Sequence, residues 1–212
     1  MESAQLKKAL GVISLFAIAM GFLEAAVVVY LRLHFYPNGF SFPLTVIPEN
    51  ILMVEMTREA ATLVMLAAVG WIAGQSSLSR CAYFSIAFGV WDIFYYIFLK
   101  ATLNWPASFL TNDVLFIIPL PWVGPVLAPI LVSLCIIAAS IVVLHRDSLG
   151  RPVRITPLRW TFVSLGGMLI LASFLVNSIA AMHQQPLEPF NWFLFASGLL
   201  VGASSFVTAL ER

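Results

Sequence analysis

Charge is scarce in this sequence. Only 10% of its 212 residues are Asp, Glu, Lys or Arg, where a soluble domain carries about one quarter. The formal net charge of +1 leaves no basic field for nucleic acid, and the eleven Lys and Arg are scattered rather than striped; no nucleic-acid partner is expected. Cysteine is nearly absent. Cys81 and Cys135 sit in apolar stretches without a CxxC partner, which excludes a disulfide framework or a cysteine metal site and leaves two small core residues. Of the three histidines, His34 and His183 fall at outer ends of predicted helices and His145 at an inner one. No pair shares a face in a bilayer core, which argues against bis-histidine haem. HExxH, a GxSxG elbow, a Walker loop, GxGxxG and paired DxxD ligands are all missing. The serines of "GASS" at 202–205 have no histidine on a facing span and read as small-residue packing. No cofactor and no metal are expected, and soluble-type catalysis has no support.

What fills the chain instead is apolar. Hydrophobic residues make up 61% and the mean hydropathy is +0.97, the composition of an integral membrane protein. The expected fold is an all-α polytopic membrane protein, one integral domain over 1–212. Runs of about twenty apolar residues predict six transmembrane helices: 8–33, 50–75, 80–102, 124–145, 158–182 and 190–210. Pro37, Asn38 and Gly39 stop the first, and Pro48 suits the opening turn of the second. Asn104, Trp105 and Pro106 end the third; Gly150, Pro152 and Pro157 part the fourth from the fifth; Pro186 and Pro189 break the chain before the sixth. Between the third and fourth helices, 105–123 is apolar but broken by prolines, too short to span, and predicted as a re-entrant or interfacial segment. Lys7 and Lys8 before an apolar run have the look of a cleaved signal peptide, but the run continues to Leu33 and Glu24 spoils the cleavage pattern, so a retained helix is expected.

Positively charged loops resist translocation. With both termini cytoplasmic, Lys7, Lys8, Arg80, Arg146, Arg151, Arg154, Arg159 and Arg212 lie inside and Arg32, Arg58 and Lys100 outside, eight against three. The predicted location is the cell (inner) membrane, multi-pass. The arginines of "HRDSLGRPVRITPLR" are a topology anchor touching anionic lipid, in preference to a dedicated phosphoinositide site.

Against this background the polar residues inside the helices stand out. Glu24, in "GFLEAAVVVYLRLHFYP", lies about 24 Å along its helix from Lys8 and about 12 Å from Arg32, in the outer half of the bilayer. A carboxylate there costs about 2.5 to 3.5 kcal/mol on insertion scales and needs a partner. Gly21, one turn earlier, leaves room for another helix, and Arg58 is the nearest cation in this topology. In the second helix the uninterrupted apolar stretch from Ala60 to Gly74 reaches only about 22 Å of a core of about 30 Å, so the "EMTRE" turn must enter the membrane or its edge. Glu55, Arg58, Glu59 and Thr62 share one face. Glu55 and Glu59 repel unless Arg58 lies between them or one is protonated, which predicts a salt-bridged or shared-proton cluster. Asp92 lies about 18 Å from Arg80, with Tyr95, Tyr96 and Lys100 continuing outward; Asp113, in "TNDVLF", is expected over the mouth of any cavity.

Three helices thus bring polar groups to one depth, and helices joined by short loops are usually neighbours. Asn177 is the one strong polar residue of the last three helices, beside Gly166, Gly167, Gly198 and Gly202, which read as close packing. The prediction is an asymmetric bundle: helices one to three hold an outward-facing polar pocket, and five and six are scaffold. Glu24, Glu59 and Asp92 are the candidate catalytic residues, as proton donors or acceptors. Glu55, Arg58, Thr62, Tyr95, Tyr96, Lys100, Asp113 and Arg32 are the candidate binding residues. A structural ion pair could account for Glu24 with Arg58, a tyrosine hydroxyl or Trp91 for Asp92, and snorkelling for Lys100. Trp105, Pro106 and Trp122 are assigned to the interfacial aromatic belt.

The favoured function is binding, with or without chemical modification, of a membrane lipid or other apolar small molecule. One alternative is a noncatalytic subunit whose polar face meets a partner membrane protein, leaving Glu24 uncovered in the single chain. The other is a proton-coupled small transporter, against which no internal repeat and no matching pair of broken helices is found.

Overall fold

The computed structural model describes residues 3–210, so Arg212 and the other terminal residues lie outside it. The chain is mostly helical: α1 Ser3–Phe35, α2 Glu49–Ala73, α3 Ser77–Leu103, α4 Leu127–Ser148, α5 Pro157–Leu175, the short α6 Ser178–Met182 and α7 Trp192–Leu210, with strands β1 Asn112–Phe116 and β2 Trp122–Pro125 between α3 and α4. Five helical segments are long and apolar enough to cross a membrane: Ala4–Phe35, Ser77–Leu103, Leu127–Ser148, Pro157–Met182 and Trp192–Leu210. Large apolar side chains cover the outside, Ile72 at 79% exposed and Phe193 at 85% among them. In water such a surface would aggregate; acyl chains solvate it. This is a multi-pass membrane protein.

The centre of the fold is α3. Helices α1, α2 and α4 each pack along it, whereas α1 and α2 barely touch each other. The thirteen residues 36–48 that join them let the two helices stand apart on either side of α3. Two glycines set how closely the helices approach. A Cβ on Gly21 would lie 2.9 Å from the carbonyl oxygen of Trp91, and one on Gly89 would lie 2.8 Å from Ile137 and 2.9 Å from the carbonyl oxygen of Ser133. Only glycine permits α1 and α4 to sit this close to α3, and in each case an acid, Glu24 or Asp92, follows one turn later. Toward the Lys7 end the space is filled by Leu6, Ile13, Ala17, Tyr83, Ile86 and Leu144.

Helices α5 and α7 form a second pair. A Cβ on Gly166 or on Gly198 would meet the other's carbonyl oxygen at 2.7 Å, and Gly202 supplies the backbone beside Gly166. Gly167 faces open space, so its place in the predicted small-residue contact is corrected: it is rotated about 100° from Gly166 on the helix. The predicted helix 158–182 is interrupted at Val176 and Asn177. Asn177 serves there as a loop clamp, its amide donating to the carbonyl of Glu188 and accepting from the Glu188 N–H, both at 2.9 Å.

Across 112–125 the chain makes an antiparallel hairpin that was not predicted, and it takes in the first residues of the predicted helix 124–145. Asn112 faces Pro125, Asp113 faces Gly124, Val114 faces Val123 and Phe116 faces Trp122, with a bulge between Val114 and Phe116. The β-branched and aromatic run "DVLF" favours a strand, and the prolines at 119 and 121 turn the chain back. Strand β2 packs on α4, α5 and α6, and Trp122 meets Phe116 at a tilt and stacks on Phe174.

Candidate functional site

Because α1 and α2 diverge over α3, a cavity of about 390 Å³ remains between them, a size suited to a small organic ligand. Its walls come from α1, the 36–47 segment, α2, α3, the hairpin and the end of α6. Most of the lining is apolar, from residues such as Val28, Leu31, Phe35, Leu52, Leu115 and Met182. Set into it are Glu24, Arg32, Glu55, Arg58, Glu59, Asp92, Tyr95, Tyr96 and Asp113, nine of the eleven residues singled out from the sequence.

Helix α2 explains how so many acids come to point inward. Its buried residues are Glu55, Glu59, Thr62, Leu66 and Gly70, a single stripe at helical spacing. Met53, Val54, Val64, Met65, Trp71 and Ile72 are exposed. The helix is polar toward the protein and apolar outward, the reverse of a soluble amphipathic helix.

Arg58 joins the two diverging helices. Its Nη1 pairs with Glu24 Oε1 on α1, while its Nε and Nη2 reach Glu55 Oε2 at 2.9 and 2.8 Å. Thr62 does not line the cavity; it lies behind Glu24 and donates to Oε2 at 3.1 Å. Glu59 makes no ion-pair contact in that cluster, although it lies near enough to Arg58 and Glu55 to feel their charge. Both its oxygens accept from the backbone N–H of Ile117, at 2.9 and 3.2 Å, which ties α2 to the chain leaving β1. The predicted cluster in which Glu55 and Glu59 share Arg58 or a proton is therefore corrected: the helical twist carries Glu59 toward the hairpin, and only Glu55 stays within reach of the guanidinium.

A second ion pair closes another wall. Arg32 Nη2 donates to Asp113 Oδ1 at 2.7 Å, and its guanidinium lies 3.8 Å over the Trp105 ring and 4.2 Å over Phe40. The partly buried Trp105 thus holds a cation against its ring face. Asp113 is 1% exposed and forms part of the wall, so the expectation that it overhangs the mouth is corrected; β1 carries it inward opposite Gly124. Burial pushes its carboxyl up from the ordinary value, against the opposing pull of Arg32 and the Val114 N–H. Asp113 Oδ2, Arg32 Nη1 and Trp91 Nε1 are buried without a hydrogen-bond partner.

Asp92 is held from α4, where Ser133 Oγ donates to its Oδ2 at 2.8 Å. Ser133 was missed from the sequence: one serine in "PILVSLC" carries no signal unless the Gly89 contact that brings α4 close is known. The 36–47 wall was missed as well, having been read only as a stop. Lys100 stands apart from the site, corrected from its predicted place in an Asp92–Tyr96 stripe. It is exposed and donates to the carbonyls of Asn104 and Pro106, at 3.3 and 3.0 Å, capping the end of α3.

The polar groups of the lining include carboxyl groups, tyrosine and threonine hydroxyls, guanidinium groups and the Gln184 amide. These can move a proton or hold a charged head. Comparison of the chain with protein-family models, with curated proteins and with solved structures finds no match.

Proposed function

We propose that this chain binds a membrane lipid or another apolar small molecule in the cavity between α1, α2 and α3. The observation that carries the reading is the coincidence of an open, largely apolar volume of about 390 Å³ with the five carboxyl and two guanidinium groups set into its wall. A purely structural ion pair would need no such volume, because buried pairs are normally closed in by packing. The partner-subunit alternative is disfavoured by Glu24, which is 8% exposed and already paired within the chain.

The membrane arrangement that goes with this function has α2 as a sixth span. Its 25 residues extend about 37 Å, and its apolar outward face supports lipid contact along that length. The distribution of Lys and Arg supports cytoplasmic termini and an outward-facing cavity in the cell membrane, with the hairpin segment at the outer interface. The test is mass spectrometry of small molecules that copurify with the wild type, with Glu24→Gln and with Arg58→Ala. A lipid or apolar compound enriched with the wild type and depleted from both variants is expected; identical retention by all three sinks the proposal.

A further inference from the structure

Within the binding function proposed above, we infer that the ligand is an organic cation, an ammonium head on an apolar body. The cavity lining holds five carboxyl groups, Glu24, Glu55, Glu59, Asp92 and Asp113, and two guanidinium groups, Arg32 and Arg58. Both arginines are committed: Arg32 to Asp113, Arg58 to Glu24 and Glu55 together. Glu59 and Asp92 touch no cation, each being held only by a neutral donor, the Ile117 N–H and the Ser133 hydroxyl. Neutral hydrogen bonds orient a carboxylate in a low-dielectric site but do not balance its charge.

Asp113 lines the same cavity; its Oδ2 is buried without a hydrogen-bond partner, with Arg32 and the Tyr96 hydroxyl beside the carboxyl. Two N–H donors of the lining, Arg32 Nη1 and Trp91 Nε1, are buried without a partner as well, but Arg32 Nη1 belongs to a guanidinium lying over the rings of Trp105 and Phe40, whose π faces receive its charge. The demand for a positive charge therefore comes from Glu59 and Asp92.

A metal ion does not fit that demand. Among the described residues no group of three His, Cys, Asp or Glu comes together to hold one, so the acids are spread around a volume instead of converging on a point. Spread carboxylates with aromatic walls suit a bulkier, softer cation. Trp91, Tyr95 and Tyr96 line the same region as Asp92, and aromatic faces attract ammonium groups. The apolar side chains of Val28, Leu31 and Leu52 continue the cavity as a lining for the ligand's hydrocarbon part.

The test titrates the purified full-length protein in nanodiscs with octylamine, octanol and octanoate, which share a tail and differ in head charge, and follows binding by native mass spectrometry. Octylammonium should bind saturably and at least about tenfold more tightly than octanol, with octanoate weaker still. The preference of octylammonium over octanol should shrink to within about threefold in Glu59→Gln and in Asp92→Asn. Equal or tighter binding of octanol or octanoate to the wild type overturns the cation assignment and leaves the binding function standing. A cation preference that survives both substitutions overturns the assignment to these acids. No saturable binding of any of the three, with no small molecule copurifying, removes the binding function and this inference together. The wild-type ranking decides the question even where a variant does not fold.

Discussion

Arg58 carries the ion pair between two helices that otherwise hardly meet, so its removal has a calculable effect. Replacing it with methionine keeps most of the aliphatic volume but leaves Glu24 and Glu55, each 8% exposed, without a counter-charge. Breaking a buried pair by removing one partner costs about 3 to 5 kcal/mol, because an uncompensated charge stays behind. For a chain of this size that corresponds to a fall of about 6 to 20 °C in Tm. Glu24→Gln should cost less: Thr62 can still donate to the amide oxygen, and Arg58 keeps Glu55. The combination of Arg58→Met with Glu24→Gln and Glu55→Gln should then be more stable than Arg58→Met alone, since no buried charge is orphaned. The assay is thermal unfolding in one maltoside detergent, followed by tryptophan fluorescence and by loss of monodisperse protein. A Tm change under about 2 °C for Arg58→Met, or a triple variant no better than the single one, would refute the idea that the guanidinium offsets those two charges.

Gly21→Ala should destabilise by about 1 to 3 kcal/mol through overpacking, while Gly11→Ala, where a Cβ meets nothing, should be neutral or slightly stabilising; equal Tm values for the two would contradict the close-approach argument. Arg32→Lys keeps the charge but loses the planar stack on Trp105, so a loss of about 1 to 2 kcal/mol and a change in tryptophan emission are expected; unchanged stability and emission would show that the stack contributes nothing. Lys100→Ala should stay within about 0.5 kcal/mol of the wild type and retain whatever copurifies with it, and a depleted ligand would put that lysine back into the site.

The pairing of Glu24 with Arg58 was legible in the sequence because insertion cost forces a rare intramembrane acid to find a cation, and helical spacing left few choices. Glu55, Glu59 and Asp92 were legible for the same reason. The partners of Glu59 and Asp92 were not. Ile117 N–H is a backbone group, Ser133 is an unremarkable serine, and both reach the site through long-range packing that a single sequence does not encode locally. The hairpin was hidden by its shortness: five and four residues in a proline-broken apolar stretch give no clear period. Lys100 was misplaced because axial depth was used in place of direction around the helix; its terminal carbonyls at Asn104 and Pro106 are closer than any acid of the cavity wall. The break at Asn177 was overlooked because asparagine is tolerated in a span, and only its clamp on Glu188 shows why the helix stops.

The inverted character of α2 bears on how the protein is made. In the six-span arrangement this helix carries Glu49, Glu55, Arg58 and Glu59, and presented alone to the hydrocarbon each buried charge would oppose entry. Only when α1 is already in place does Arg58 gain Glu24, and only when the hairpin has formed does Glu59 gain the Ile117 N–H. Integration of α2 thus waits on segments made before and after it, so a released chain truncated after Gly74 should leave this helix outside the bilayer, and one extended through the hairpin should draw it in.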